Sequence, residues 1–150
     1  MTPIHVYDSD ELYRSVRVGE YTTRNGKVAF SASAFSDREC KPSVDTSSIR
    51  QDPRESRRST ADGVAKLVAG EIRCSCQIPI YDKKGRPTGQ HSVDVLHRPI
   101  ENDPNEPDNL AHCQIECHPT IDNENRFKRL KEALAAMANQ YGWVVEPGSA

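Results

Sequence analysis

At 150 residues, with 35% hydrophobic and 28% charged side chains, the chain is long enough for one hydrophobic core and leaves much of its length for solvated connections. A formal net charge of −2 gives no electrostatic case for general binding to nucleic acid or membrane surfaces, and no apolar run approaches the roughly 18 residues of a membrane span. Five cysteines, an odd number, argue for reduced thiols over a disulfide framework. The start MTPIHVYDSDEL turns acidic where a signal peptide would be basic and then apolar, so a cytosolic location is expected.

IHVY is a possible first strand, and DSDELYRSV a short helical turn capped by Asp8 or Ser9. In TRNGKVAFSASAF, Asn25-Gly26 supplies the two positive-φ positions of a tight hairpin turn. Val28, Phe30, Ala32 and Ala34 then alternate with Lys27, Ala29, Ser31 and Ser33 at the period of a half-buried strand. Residues 36–59 are polar and nearly free of large apolar groups, which predicts a mobile loop. The pattern leaves open whether SVDTSSI within it is a strand.

STADGVAKLVAGEI predicts a short helix, capped by Ser59 or Thr60 and ended by Gly70. IRCSCQIPIYD and QHSVDVLHRPI predict two strands around the turn KKGRPTG. The first would carry Ile72, Cys74, Cys76, Ile78 and Ile80 on one face, the second Val93 and Val95. LAHCQIECHP predicts a third strand. TIDNENRFKRLKEALAAMANQYG predicts a helix over about 122–141: Asp122 or Asn123 caps it, Phe127, Leu130, Leu134, Met137 and Tyr141 form one apolar stripe, and Gly142 stops it. Strands with one apolar face need cover. The expected fold is therefore α+β, a mostly antiparallel sheet with the C-terminal helix packed across one face, in a single domain spanning 1–150.

The stretch AHCQIECHPT, residues 111–120, holds two histidines, two cysteines and a glutamate and admits three chemistries. Cys74, Cys76, Cys113 and Cys117 could form a four-thiolate zinc site if their strands were neighbours. The spacings are not those of a zinc knuckle, and buried free thiols are the expectation. His112 could act as base for Ser43, with Asp45 as its orienter, although no G-x-S-x-G elbow is present. Third, Gln114-x-Glu116, together with Arg14 in LYRSV and Ser31-x-Ser33, resembles the arginine, serine and Q-x-E signatures of ADP-ribosyltransferases. That resemblance implies NAD as cofactor, Arg14 on its phosphates, Ser31 and Ser33 ordering the site, and Glu116 stabilising a ribosyl cation.

The order LYR, GKVAFSASAF, SVD, GVAKLVAG and NLAHCQI, closed by a helix, is also similar to a widespread group of small uncharacterised bacterial proteins over roughly residues 12 to 138. This resemblance implies a bacterial single-domain protein and singles out Arg14, Phe35, Ser43, Asp45 and His112. The leading functional expectation is a module that binds another protein in a regulatory or conflict system, with Tyr141 and Trp143 as interface candidates and no resident cofactor. An NAD-using transferase, and then a hydrolase, stand second. A nucleic-acid binder stands third. It rests on Arg50, Arg54, Arg57 and Arg58, which have no interleaved aromatics for stacking.

Overall fold

The computed structural model describes residues 1–150. Nine strands and two helices follow in the order β1 (Glu11–Val16), β2 (Tyr21–Arg24), β3 (Lys27–Phe30), β4 (Ser43–Thr46), β5 (Gly63–Val68), α1 (Ala69–Ser75), β6 (Gln77–Tyr81), β7 (Pro87–His97), β8 (His112–His118), α2 (Glu124–Asn139) and β9 (Trp143–Val145). Seven strands make one sheet in the order β6-β7-β8-β4-β1-β5-β9, while β2 and β3 form a separate hairpin. Every pairing is antiparallel. The α+β class with a C-terminal helix against an antiparallel sheet is the fold that forms.

The sheet has an apolar inner face and a polar outer one. Leu12, Leu67, Val95 and Ile115 point inward against Leu130 and Leu134 of α2, and Val28, Phe30 and Phe35 close the same core. Helix α2 touches both β5 and β6. In a flat sheet those strands would lie five spacings, about 24 Å, apart. A helix with its side chains is only about 10–12 Å across, so the sheet must curl around α2. A small second cluster of Tyr13, Val64 and Val145 lies on the outer face, under the 3₁₀ turn Pro53–Ser56. The N-terminal arm is held beside β7: Val6 enters the core, and Ile4 N–H donates to His97 Nδ1 at 2.9 Å. His97 Nε2–H donates in turn to the Leu110 carbonyl at 2.7 Å.

Local chemistry explains the elements that match the sequence pattern. Asn25 (φ 53°) and Gly26 (φ 74°) turn the β2–β3 hairpin. The Asn123 carboxamide oxygen accepts the N–H groups of Asn125 and Arg126 to cap α2. Gly142 (φ 73°) follows its end.

Several expectations are corrected. Residues 4–7 are not a strand; the first strand is β1, formed by the residues read as a helical turn, because Leu12 and Val16 alternate into the core around Arg14. Residues 36–59 are not one loop, since β4 lies in the middle of the sheet between β8 and β1. Residues 63–68 are strand β5, not helix, and Gly63 is needed there because any side chain would collide with the Trp143 ring. The strand expected over IRCSC is helix α1. Ile72 and Cys76 lie four residues apart and face inward, while Cys74, half a turn away, is exposed. Beyond β3, Ala32–Phe35 leaves the strand as a 3₁₀ turn that buries Ala34 and Phe35.

Candidate functional site

Strands β4 and β8 pair with Ser43 opposite Gln114 and Asp45 opposite His112. Side chains directly opposite share a face, so all four lie on the outer face, away from Val44, Cys113 and Ile115. His112 reaches along the diagonal, and Ser43 Oγ lies 3.0 Å from its Nε2. The other ring nitrogen, Nδ1, lies 2.7 Å from the Arg98 carbonyl. A carbonyl only accepts, so Nδ1 carries the proton and Nε2 presents its lone pair to the Ser43 hydroxyl.

The backbone of Ser43 is clamped at both ends of the residue. Its N–H donates to Asp37 Oδ2 at 2.9 Å, and its carbonyl accepts from Arg14 at 2.8 Å. Arg14 and Asp37 pair at 3.0 Å, with the Arg14 side chain only 11% exposed. Arg14 also donates to the carbonyls of Ala34 and Ser36, so four of its five N–H donors are engaged. Burial pushes the Asp37 carboxyl up, but the Ser43 N–H and the Arg14 guanidinium outweigh it and hold the group below its ordinary range.

Asp45 is not the orienter of His112. Its two oxygens accept from Asn109 at 2.8 Å and Ser56 at 2.7 Å, with Arg50 3.6 Å away. The Arg98 carbonyl takes the orienting role instead. The positions picked out by the looser resemblance thus gather in one region: Arg14 clamps Ser43, Phe35 is buried next to the Ala34 carbonyl that Arg14 binds, and Asp45 sits opposite His112.

The transferase elements do not converge. Arg14 lies between Leu12 and Val16 on the inner side of β1, whereas Gln114 and Glu116 occupy the outer side of β8. The Glu116 carboxylate is taken up by Arg98 at 2.9 and 3.2 Å. Ser31 and Ser33 bond each other at 2.7 Å, with Ser31 also donating to the Glu20 carbonyl. No single cleft holds all three elements.

Nor do the cysteines form a metal centre. Cys76, Cys113 and Cys117 face the core and Cys74 faces solvent, and no group of three or more His, Cys, Asp or Glu side chains is placed to hold an ion. Burial pushes the Cys76 and Cys113 thiols up to about 12 and Cys117 to about 11, as expected of small buried hydrophobes.

The arginine segment is largely engaged in structure. Arg50 donates to Asn109, while Arg54 and Arg57 bind the carbonyls of Ala150 and Ser149. Arg58 is exposed. Trp143 packs edge-on against Tyr21 and Phe30, each at 4.8 Å, and Tyr141 bonds Glu71 beneath Lys66. Trp143 is thus held within the fold, whereas the Tyr141 ring stays exposed.

No family model, curated protein or solved structure matches this chain. No helix is long and apolar enough to cross a membrane. Sequence reasoning paired Ser43 with His112 but missed Asp37 and the Arg98 carbonyl. No local motif marks out Asp37 among the acidic residues of its segment. A backbone carbonyl leaves no signal at all.

Proposed function

We propose that Ser43 and His112 are the nucleophile and general base of an acyl-transfer site, most simply a hydrolase of esters or related acyl compounds. The observation that carries this reading is the directed relay from the Ser43 hydroxyl to His112 Nε2 and from Nδ1–H to the Arg98 carbonyl. A histidine held in that tautomer accepts the hydroxyl proton as Oγ attacks.

In the reaction, Ser43 Oγ bonds to the acyl carbon and its proton passes to Nε2. The leaving alcohol takes that proton as the acyl–oxygen bond breaks. Water then repeats the sequence and returns the acid and the free serine. Gln114, opposite Ser43 on the same face, supplies an amide donor for the oxyanion. The relay puts this reading ahead of the interaction module, one of whose two candidate aromatics, Trp143, is engaged within the fold.

The test is labelling with a fluorophosphonate, read by intact mass and peptide mapping. One adduct on Ser43 is expected, absent in Ser43→Ala and slowed at least about 100-fold in His112→Gln. Asp45→Asn, which alters a group that does not touch the imidazole, should change the rate only a few-fold. No adduct, or labelling indifferent to His112, would overturn the assignment.

A further inference from the structure

Strand β6 pairs with β7 only as far as Ser92, so residues 93–97 leave an edge that β6 does not cover. The N-terminal arm runs beside this edge, and between the two lies a groove of about 670 Å³. Ile4, Tyr7 and Leu96 are among its apolar walls. Arg73, at 2.8 Å from Asp8 and 2.7 Å from Asp94, places a single guanidinium between two carboxylates. With its guanidinium engaged by both carboxylates, Arg73 offers nothing further to an anionic ligand, so the groove is left to an uncharged group, apolar against Ile4, Tyr7 and Leu96 and polar toward His5 and Ser9.

The groove shares a face with the serine. Ser43 opposes Gln114, and Gln114 opposes Leu96, which makes one straight row across β4, β8 and β7 on the outer side of the sheet. Two strand spacings place Leu96 about 10 Å from Ser43. Nucleophile, amide donor and apolar wall therefore lie in sequence along a line of a length that a medium-chain acyl group spans and an acetyl group does not. The Arg98 side chain crosses this line on its way to Glu116, so an acyl chain would pass over its methylene stem.

We infer that the groove between the N-terminal arm and β7 is the acyl-chain subsite of the Ser43 site, so that the substrates are esters of uncharged, medium-chain acyl groups. The inference rests on the Ser43–His112 reading for its chemistry, but the groove makes its own claim on binding. A substrate laid along the row places its carbonyl carbon at Ser43 Oγ and its carbonyl oxygen toward Gln114, with the chain running to Leu96 and Tyr7. Contacts along the chain act equally in the bound and transition states, so chain length should enter mainly through KM.

Two measurements separate the claims. The first compares p-nitrophenyl octanoate with p-nitrophenyl acetate on the intact protein. The octanoate should be favoured about 50-fold in kcat/KM, the gain from burying about three of its six added methylenes in an open groove. Leu96→Asp should bring that ratio toward one by raising KM for the longer ester. A ratio near one in the parent protein, or one indifferent to Leu96→Asp, overturns the subsite.

The second measurement uses the Ser43→Ala protein, which needs no catalysis. Titrated with octanamide and followed by NMR, it should show shifts at Tyr7 and Leu96 that acetamide does not produce. Octanamide binding without hydrolysis or probe labelling in the parent protein would leave the groove standing and remove the Ser43 chemistry. Labelling of Ser43 with no octanamide binding would do the reverse.

Discussion

Along β8, alternate residues meet opposite fates. Cys113, Ile115 and Cys117 face α2 in a core that keeps thiols protonated, while His112, Gln114 and Glu116 face outward among groups that bond in specific directions. One strand thus carries packing on one side and candidate chemistry on the other, because successive side chains in an extended chain point to opposite faces. The contrast teaches that the reactive-looking cysteines of this stretch are inert by placement. Its histidine is poised by the backbone carbonyl of Arg98, the residue that follows β7.

The largest expected effect lies in thiol chemistry. With burial holding Cys76 and Cys113 at about 12, their thiolate fraction at neutral pH is negligible. An aromatic disulfide reagent should react with exposed Cys74 in the native protein, and with Cys76 and Cys113 more than about 100-fold more slowly until denaturant is added. Fast reaction at Cys113 would break the inner–outer contrast directly.

Packing gives the next largest effect. Ile115→Ala empties space in the fully buried core and should cost about 3–4 kcal/mol in chemical denaturation. Arg14→Met comes third, at about 2 kcal/mol, because it removes the cation paired with Asp37 and leaves several carbonyls without that donor. This loss should be pH-dependent. Asp37 has a folded-state pKa held below its unfolded value of 3.8, so its contribution is full above that value and disappears as pH falls through the folded-state pKa. The stability curves of Arg14→Met and the parent protein should therefore draw closer in acid, separated there by the carbonyl bonds alone, and parallel curves would remove the Arg14–Asp37 clamp from the account.

The smallest change sharpens the comparison most. Gln114→Ala, on the outer face one residue from Ile115, should alter stability by less than about 0.5 kcal/mol while slowing fluorophosphonate labelling of Ser43 about 10-fold or more. A large stability loss with unchanged labelling would make the outer row structural.

Much of the fold was legible in the residues. The α2 stripe of Phe127, Leu130, Leu134 and Met137, the Asn25-Gly26 turn and the β6–β7 hairpin carry local signals, since capping, turn dihedrals and side-chain period act within a few residues. Strand β4 was not legible. In SVDT only Val44 enters the main core, and Ser43 and Asp45 look like loop residues until β1 and β8 flank them. Helix α1 was misread because Cys74, Cys76 and Ile78 alternate on paper, while Ile72 and Cys76 are buried at helical spacing.

The sequence by itself determined a one-core α+β chain, its last helix, two hairpins, and a short list containing Ser43, His112 and Arg14. Only the tertiary structure decided which of those residues meet. It set Ser43 beside His112 across a gap of 69 positions, gave the orienting role to the Arg98 carbonyl in place of Asp45, and parted Arg14 from Glu116 by the thickness of the sheet. The reason is physical. Local propensity acts over a few residues, whereas the register between β4 and β8 is set by which faces must be buried against α2, and a slip of one residue would turn every side chain to the other side.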